Sequence, residues 1–471
     1  MQLSHTPAAT AAVFDDPNLI GSAGLVPILR LAEKAALAAL ADEHLSVPSD
    51  KGAHAGAKVT ALVAGMVAGA DSIEDMALLR HGGMRRVFER CYAPSTLGSF
   101  LRSFTFGHVR QLDAVASRFL TGLAEATPVL AGVSEVAVVD IDDTIIEVHG
   151  YAKQGAGFGY TKVRGLNALI ATVSTDASPP VIVAQRLRKG SANSARGAQR
   201  LVRDALKTVR TLAREQSKTG GRVLVRADSA YYGHPAIGAA VKTGAEVSVT
   251  VRLDPRVKAA ISTIADDSWT TIEYPRAVFD EESGSWISSA QVAEVPYVAF
   301  TSKKKTQVPG RLVVRRIPDA NAETKRRAGQ DGLFELWRHH AFFTTTDAET
   351  ADTVAVDKVH RAHAVIEQVH ADLKSSALAH LPSGKFTANA AWLVLAVMAF
   401  NLTRAAATLT GARRLARATT ATIRRTLVAV PARVATSARR LTLHLPRAWP
   451  WQHAWTVLFE RVNAPPATVA T

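Results

Sequence analysis

The residues with the clearest chemical potential are acidic side chains at the end of an apolar stretch, Glu135 to Thr144, EVAVVDIDDT. The β-branched residues before Asp140 predict a buried strand that is covered on both faces. Asp140, Asp142 and Asp143 would repel one another unless a cation neutralised them, and oxygen ligands of this kind suit Mg²⁺ or Mn²⁺. The alternative is an ordinary strand that runs into an acidic loop.

A further aspartate ends a second apolar stretch, RVLVRADSAYYG, where Asp228 stands at the change from strand to loop. If the two strands are neighbours, two strand-end aspartates share one edge of the sheet, which is where ligand sites of α/β sheets gather. Tyr231, Tyr232 and His234 follow directly. They could line a path for DNA, although two tyrosines after a strand are more often packing residues.

A polar stripe lies on a predicted helix that starts at about Ala348. Its members are His360, His363, Glu367, His370 and Lys374. They recur every three or four residues, which places them within an arc of about 80° on one helix face. Two metal sites are possible interpretations of this stripe. In one, Glu367 completes an oxygen-rich ligand set with the aspartates; in the other, His363, Glu367 and His370 converge on a zinc ion. The first is preferred because carboxylates suit magnesium better than zinc.

Composition makes a polyanion the expected partner. The 471 residues include 56 Lys and Arg against 41 Asp and Glu, a net charge of +15, and cationic side chains neutralise nucleic-acid phosphates. The single cysteine, Cys91, excludes an intrachain disulfide framework and fits a reducing cytosol. The N-terminus lacks a signal-peptide pattern, and the longest apolar run, Ala390 to Phe400, is too short to span a bilayer. We therefore expect a cytoplasmic, nucleoid-associated protein without a membrane partner.

The elements that would position the acidic residues have the order βββαβαβ between residues 131 and 254. Three antiparallel strands followed by alternating helices and strands is the ribonuclease-H-like arrangement, an α/β fold in which the first and fourth strands can lie side by side. Residues 255–345 are predicted to form a β-rich insertion of short strands. Residues 346–403 would return to the core as its final acidic helix.

Helical regions are predicted on both sides of this core. Residues 1–130 contain short helices joined by tight turns, and Arg85 and Arg86 on them are compatible with a helix-turn-helix unit that binds DNA ends. Residues 404–471 form a basic region, predicted to be helical, with many arginines among apolar residues. DNA is the preferred partner of both regions, and a plain helical bundle with a solvated basic face is the alternative.

Together these segments resemble the bacterial insertion-sequence transposases of the DDE superfamily, in the branch with a Tyr-Arg-Glu-Lys signature on the last acidic helix (insertion-sequence group 1380). The resemblance covers about Glu135 to Thr403 and rests on VDIDDT, RKGSANSARGA, RADSAYYG and HRAHAVIEQVHADLK. The family pattern Asp-x-Thr on the first strand fits Asp142 with Thr144 better than it fits Asp140. The positions of the signature's Tyr and Arg hold histidines here.

The resemblance implies a catalytic set and its partners. Asp142, Asp228 and Glu367 would be the catalytic residues and would bind two Mg²⁺ or Mn²⁺ ions, for strand cleavage and strand transfer at one site. Lys374, with His363 and His360 at the other signature positions, would contact DNA. The implied partners are the inverted-repeat ends of the element, target DNA and a second copy of the chain in a synaptic homodimer.

Two alternatives remain at this stage. Asp140-x-Asp142-x-Thr144 also fits the opening motif of haloacid-dehalogenase-like phosphatases, in which the first aspartate is a nucleophile and the second a general acid. That family needs a later Gly-Asp-x-x-x-Asp-like pair, and the downstream chain offers no convincing one. The other alternative is a DNA-binding relic of a transposase without catalytic activity, because His360 and His363 depart from the signature.

Overall fold

A large mixed sheet with helices packed around it organises the computed structural model, which describes residues 1, 4–48, 50–150, 152–159, 161–217, 220–280, 285–318 and 337–465. The strands are β1 (Leu19–Ile20), β2 (Val136–Glu147), β3 (Gly157–Phe158), β4 (Arg164–Ser174), β5 (Val181–Lys189), β6 (Arg222–Ala227), β7 (Glu246–Thr250), β8 (Thr270–Asp280), β9 (Ser285–Ala299), β10 (Val308–Pro318), β11 (Trp337–Thr344), β12 (Ala432–Ser437) and β13 (Arg440–His444). Ten of them form one sheet within the described residues.

The helices surround this sheet and also form the two flanking regions. They are α1 (Leu25–Lys34), α2 (Leu37–His44), α3 (Ala55–Ala68), α4 (Met84–Val87), α5 (Pro94–Arg102), α6 (Phe106–Ala126), α7 (Ala198–Gln216), α8 (His234–Lys242), α9 (Pro255–Ile261), α10 (Thr353–Arg361), α11 (Val365–Lys374), α12 (Phe386–Leu409), α13 (Arg413–Ala416), α14 (Thr420–Ile423) and α15 (Gln452–Asn463). Short 3₁₀ turns join several of them, including Ala362–Ala364 between α10 and α11.

The strands that carry the aspartates lie side by side, as the sequence predicts. The order across this part of the sheet is β5-β4-β2-β6-β7. β2 is antiparallel to β4 and parallel to β6, and β6 is parallel to β7. The order of strands and helices predicted for residues 131–254 is observed with one addition, the two-residue strand β3 between β2 and β4. β6 ends beside Ile141, whereas β2 continues to Glu147, so Asp142 lies within β2 and not at its end as the sequence predicts.

Burial explains why this region folds as it does. β4 is buried from Gly165 to Val173, which is the pattern of a strand covered on both faces. Helix α7 covers part of the sheet with a strongly amphipathic surface, and α12 packs against β5 and α6. By length and composition α12 could cross a membrane, but its most apolar stretch is entirely buried inside the protein. It is longer than the apolar run recognised in the sequence.

The predicted β-rich insertion continues the main sheet and is built from long strands, where the sequence pattern predicted short ones. β11 is antiparallel to β7, and the order then runs β11-β10-β9-β8. The pairing of Phe342 with Thr250 joins the two parts of the sheet. This arrangement covers the edge of β7, whose backbone groups would otherwise lack a neighbouring strand.

The two flanking regions pack against each other. β1 pairs with β12, α1 contacts α15, and the Arg86 guanidinium donates hydrogen bonds to Asn18 and Thr436. The C-terminal region contains the hairpin β12–β13, although the sequence predicts only helices there. The reason is a two-residue period, in which buried Ala432 and Val434 alternate with exposed Arg433.

Candidate active site

Strand β2 separates its three aspartates into different surroundings. Successive side chains on a strand point to opposite faces, so Asp140 and Asp142 share one face and Asp143 lies on the other. Asp140 is fully buried, whereas Asp142 and Asp143 are partly exposed. The three aspartates therefore differ in their faces on β2 and in their access to solvent.

Asp140 is neutralised by an arginine on the neighbouring strand. Arg226 donates from Nε to Oδ1 and from Nη2 to Oδ2, each at 2.7 Å, and Arg226 is itself only 3% exposed. His363 Nδ1 lies 2.8 Å from the same Oδ1. A carboxylate with these partners and no solvent exposure is not open to a substrate or a cation. In this structure Asp140 is therefore an ion-pair partner inside the protein and not a residue of an open site.

Asp143 is also held by protein partners, on the other face of β2. It accepts hydrogen bonds from the Tyr231 hydroxyl at 2.5 Å and from Asn167, and Arg188 Nη2 lies 2.9 Å away. Burial, reinforced by the charge of Asp143, raises the pKa of Tyr231. Tyr231 is therefore a neutral hydrogen-bond donor that anchors Asp143, which agrees with the packing alternative for this tyrosine.

Asp142 and Asp228 face a common cleft of about 860 Å³. Asp228 follows β6 and accepts a hydrogen bond from the amide of Ala230 at 3.0 Å, which fixes the turn after the strand. Burial raises the pKa of the Asp228 carboxyl, and the negative charge of Asp142 raises it further. The two carboxylates thus form a region of negative charge that the protein leaves without full compensation.

Helix α11 lies beside this face of β2. His363 contacts Asp140, and His370 Nε2 lies 3.5 Å from Asp142 Oδ2. His370 is buried, and neither of its ring nitrogens has a hydrogen-bond partner in the described part of the chain. Lys374, one turn further on, lines the cleft.

Glu367 lies between these residues along α11 but is exposed, and it is not one of the described residues that line the cleft. The structure therefore brings together two of the three predicted ligands, Asp142 and Asp228. Over the described ranges, no group of three or more His, Cys, Asp or Glu side chains is arranged to hold a metal ion. The alternative zinc set of His363, Glu367 and His370 is likewise not assembled.

His360 has a different place from the predicted one. Its ring nitrogens lie 2.8 Å from Ser248 Oγ and 3.0 Å from Thr250 Oγ1, and its ring stacks on Phe342 with 4.0 Å between centroids. Burial lowers the pKa of His360 to about 3, so the ring is neutral at physiological pH. From α10, His360 packs against β7 and β11, and these contacts leave neither ring nitrogen available for a DNA phosphate.

The predicted DNA-contacting arginines lie on α4, away from the cleft. Arg85 and Arg86 are exposed, and Arg86 also links β12 to the N-terminal segment. Arg252, by contrast, lines the cleft and was not recognised from the sequence. It follows β7 just as Asp228 follows β6, so the parallel order of the strands was the signal that could have found it.

The donor set of the cleft fits a hard divalent cation. Asp142 and Asp228 supply carboxylate oxygens, the ligands that Mg²⁺ and Mn²⁺ prefer, and the raised pKa of Asp228 shows that a positive charge would stabilise the pair. A cleft of about 860 Å³ leaves room for further oxygen ligands. The two aspartates therefore suit the metal expected from the sequence.

Comparison with known proteins agrees with this arrangement. The chain matches the family model described as Transposase DDE domain group 1 over residues 8–466. The match extends beyond the resemblance seen in the sequence and includes both flanking regions. No curated protein sequence matches the chain. Because the family model covers nearly its whole length, the chain belongs to the transposase DDE domain group 1 family.

Proposed function

We propose that this transposase binds the inverted-repeat ends of an insertion sequence and catalyses metal-dependent DNA strand cleavage and strand transfer. The observation that carries the proposal is that Asp142, in the middle of β2, and Asp228, directly after the adjacent parallel strand β6, line one open cleft. The proposed class is a polynucleotidyl transferase with a ribonuclease-H-like core. The branch with the Tyr-Arg-Glu-Lys signature remains part of this proposal.

The strand order supports the ribonuclease-H-like assignment. In chain order from β2, leaving out the short β3, the sheet runs third, second, first, fourth and fifth strand. The first three strands are antiparallel, and the next two are parallel to the first. This is the arrangement expected from the order of elements in the sequence.

Asp142, Asp228 and, on this proposal, Glu367 would hold Mg²⁺ or Mn²⁺. When bound, divalent cations increase the nucleophilicity of the attacking oxygen and stabilise the charge on the leaving oxygen. Lys374 and Arg252 line the same cleft and supply positive charge for a phosphate group. Glu367 is on α11, which approaches β2 through His370, and His363 in the turn before α11 also contacts β2, so α11 is the element from which a third carboxylate would reach the aspartates.

DNA outside the cleft would be held by exposed cationic side chains. Arg85 and Arg86 on α4 are exposed and remain our proposal for contacts with the element's ends. The net charge of +15 supports a long contact with a polyanion. A synaptic complex of two copies, acting in the cytoplasm on nucleoid DNA, is the assembly that transposition would require.

The phosphatase alternative is disfavoured by the surroundings of Asp140. That mechanism needs the first aspartate of the motif as a nucleophile, yet Asp140 is 0% exposed and bound to Arg226 through both oxygens. Asp142, the second aspartate, is the one that faces the cleft. The accessible carboxylates therefore favour a metal-dependent reaction over an aspartyl-phosphate intermediate.

The test is cleavage of a duplex that contains an element end, under single-turnover conditions with Mg²⁺. Asp142→Asn, Asp228→Asn and Glu367→Gln should each abolish cleavage, because each removes a negative charge that would bind metal, while end binding persists. Glu135→Gln is the matched control, since Glu135 is an exposed acid just before β2, and it should cleave like the wild type. Robust cleavage by Asp228→Asn would overturn the assignment, and an inactive wild type that still binds ends would favour the relic.

A further inference from the structure

Two layers of side chains connect the sheet with the helical segment that carries Glu367. Asp140 and Arg226 are register partners on the parallel strands β2 and β6, and both are buried. Asp142 is two residues after Asp140, and Asp228 is two residues after Arg226; both face the cleft. Because side chains on a strand repeat every two residues, a neutralised ion pair lies directly below the pair of uncompensated carboxylates.

The buried pair also holds the segment between α10 and α11. Arg226 Nη1 donates a hydrogen bond to the carbonyl of Val359, and its Nη2 donates another to the carbonyl of Ala362 at 3.3 Å. These carbonyls belong to the end of a helix, where main-chain acceptors lack partners within the helix. His363, which is the next residue, adds its side-chain contact with Asp140 Oδ1 at 2.8 Å.

We propose that Asp140, Arg226 and His363 form a clamp that sets the position of α11 relative to the cleft, and thereby the distance of Glu367 from Asp142 and Asp228. All three are positioning residues on this proposal, because none of them needs to touch substrate or metal. The clamp rests on the proposed function in one respect, namely the role of Glu367 as the third carboxylate.

The chemistry of the clamp suits positioning better than stabilisation. A buried ion pair gains little net stability over an apolar contact of the same size, because both charges lose their hydration. The ion pair instead fixes a relative orientation. The planar guanidinium group fits one orientation of a carboxylate and keeps its charge at every physiological pH. A misplacement of about 1 Å in a catalytic group can reduce a rate about 100-fold, so a directional contact at this point has a functional value.

The opposite end of α11 is attached in another way. Asp372 accepts hydrogen bonds from the amide and the hydroxyl of Thr420, and Arg404 Nη2 lies 3.7 Å from its carboxylate. The helix is therefore fixed to the C-terminal region at one end and to the sheet by the clamp at the other. Loss of the clamp should let the N-terminal end of α11 move while its C-terminal end stays in place.

The test compares Arg226→Lys, Asp140→Asn and His363→Ala with a matched control, Arg222→Gln. Arg222 is on the same strand as Arg226 and also binds a carboxylate through two nitrogens. Its Nε donates to Glu246 Oε1 at 2.8 Å and its Nη2 to Glu246 Oε2 at 2.9 Å. That pair joins β6 to β7 and includes no residue of α10 or α11. Circular dichroism and urea unfolding first establish that each variant is folded.

The first measurement requires neither metal nor activity. Spin labels on Glu135→Cys and Gln368→Cys, both exposed positions, report the distance between the start of β2 and α11 once Cys91 is replaced by Ser. The clamp predicts one narrow distance distribution for the wild type and for Arg222→Gln. It predicts a broadened or displaced distribution for the three clamp variants.

The second measurement is Mn²⁺ binding by electron paramagnetic resonance, followed by single-turnover cleavage at saturating Mg²⁺. We expect about 10- to 100-fold weaker Mn²⁺ binding in the clamp variants, the range found when groups that orient metal ligands are removed. Cleavage should slow while the affinity for end-containing DNA stays unchanged. Arg222→Gln should behave as the wild type in both measurements.

The outcomes separate the clamp from the proposed function. Folded Arg226→Lys and His363→Ala proteins with the wild-type distance distribution and Mn²⁺ affinity would overturn the clamp. His363→Ala keeps the Asp140–Arg226 pair and has a side chain that is 17% exposed, so it provides the test if the other variants do not fold. If Asp142→Asn and Asp228→Asn bind Mn²⁺ like the wild type, the proposed metal site fails, and the spin-label distances still decide the clamp.

Discussion

Neutralising Asp140 and neutralising Asp142 should have opposite consequences for stability, although the two residues are separated by one position on β2. Asp140→Asn leaves the Arg226 guanidinium, whose side chain is 4% exposed, without a compensating charge. Removing one partner of a buried ion pair costs about 3–5 kcal/mol in the free energy of unfolding. Two hydrogen bonds from Arg226 and one contact with His363 are weakened at the same time.

Asp142→Asn removes a charge that is not compensated. The Asp142 side chain is 24% exposed and contributes to the raised pKa of Asp228, so its loss relieves repulsion between two carboxylates. Because the site is open to solvent, the change should be a gain below about 1 kcal/mol. The two substitutions remove the same charge from the same strand and thus form a matched pair.

The assay is urea unfolding of the metal-free proteins, followed by circular dichroism and extrapolated to water. Adding a divalent cation extends it, because a ligand that binds only the folded state stabilises by about 2.7 kcal/mol at 100 times its dissociation constant. The wild type should show this gain, and Asp142→Asn should not. The reasoning is refuted if Asp142→Asn loses as much stability as Asp140→Asn, or if Asp140→Asn is neutral.

Three further predictions concern charge at other places. In metal-free protein the folded-state pKa of Asp228 is raised, so its ionised form costs stability above that pKa and the cost disappears as pH falls through it. The free energy of unfolding of the wild type minus that of Asp228→Asn should therefore increase on acidification from pH ~7 to ~5, and a decrease would contradict the assignment. His360→Ala should lower the free energy of unfolding by about 1–3 kcal/mol, because the hydroxyls of Ser248 and Thr250 lose their partner, and should leave the affinity for DNA unchanged. The exposed arginines of the C-terminal region include Arg413, Arg414, Arg439 and Arg440. Changing all four to Gln should reduce the slope of log affinity against log salt by about 0.9 for each DNA phosphate that is no longer neutralised, and an unchanged slope would exclude this surface from DNA binding.

The elements around the site could be predicted because each of them is encoded locally. The order βββαβαβ predicted between residues 131 and 254 is observed as β2, β4, β5, α7, β6, α8 and β7, with the two-residue strand β3 added. Once the order βββαβαβ is known, the adjacency of β2 and β6 follows from topology. The closeness of Asp142 and Asp228 could thus be derived without knowing a single long-range contact, although β2 continues past Asp142 to Glu147.

The partners of the acidic residues could not be derived in this way. Asp140 and Arg226 are 86 positions apart, and Asp140 and His363 are 223 positions apart. A pairing of this kind depends on strand register and on the exact placement of a helix, which the periodicity of one segment does not determine. The arginines of the C-terminal region are similar: Arg404 is buried and donates to the carbonyls of Ala416 and Ala418, although its sequence surroundings predict an exposed basic surface.

His360 lies in a helical segment, as predicted, but its side chain points in a different direction from the one predicted. The stripe assumed 100° per residue from His360 to Lys374, as in one continuous α-helix. The 3₁₀ turn Ala362–Ala364 interrupts it, and a 3₁₀ turn advances by 120° per residue because it has three residues per turn. His370, after the turn, still lies beside β2, whereas the His360 side chain is rotated towards β7 and β11.

Within VDIDDT, two of the three aspartates are paired with arginines, and Asp142 is not. Asp140 is bound by Arg226 and Asp143 by Arg188, each from a different strand and on a different face of β2. Asp142 has no arginine among its described contacts and shares the cleft with Asp228. Charge compensation on both sides concentrates the remaining negative potential at one point of the cleft. A divalent cation bound there would meet Asp142 on a strand that the contacts of Asp140 and Asp143 already fix, so it would not need to order this strand.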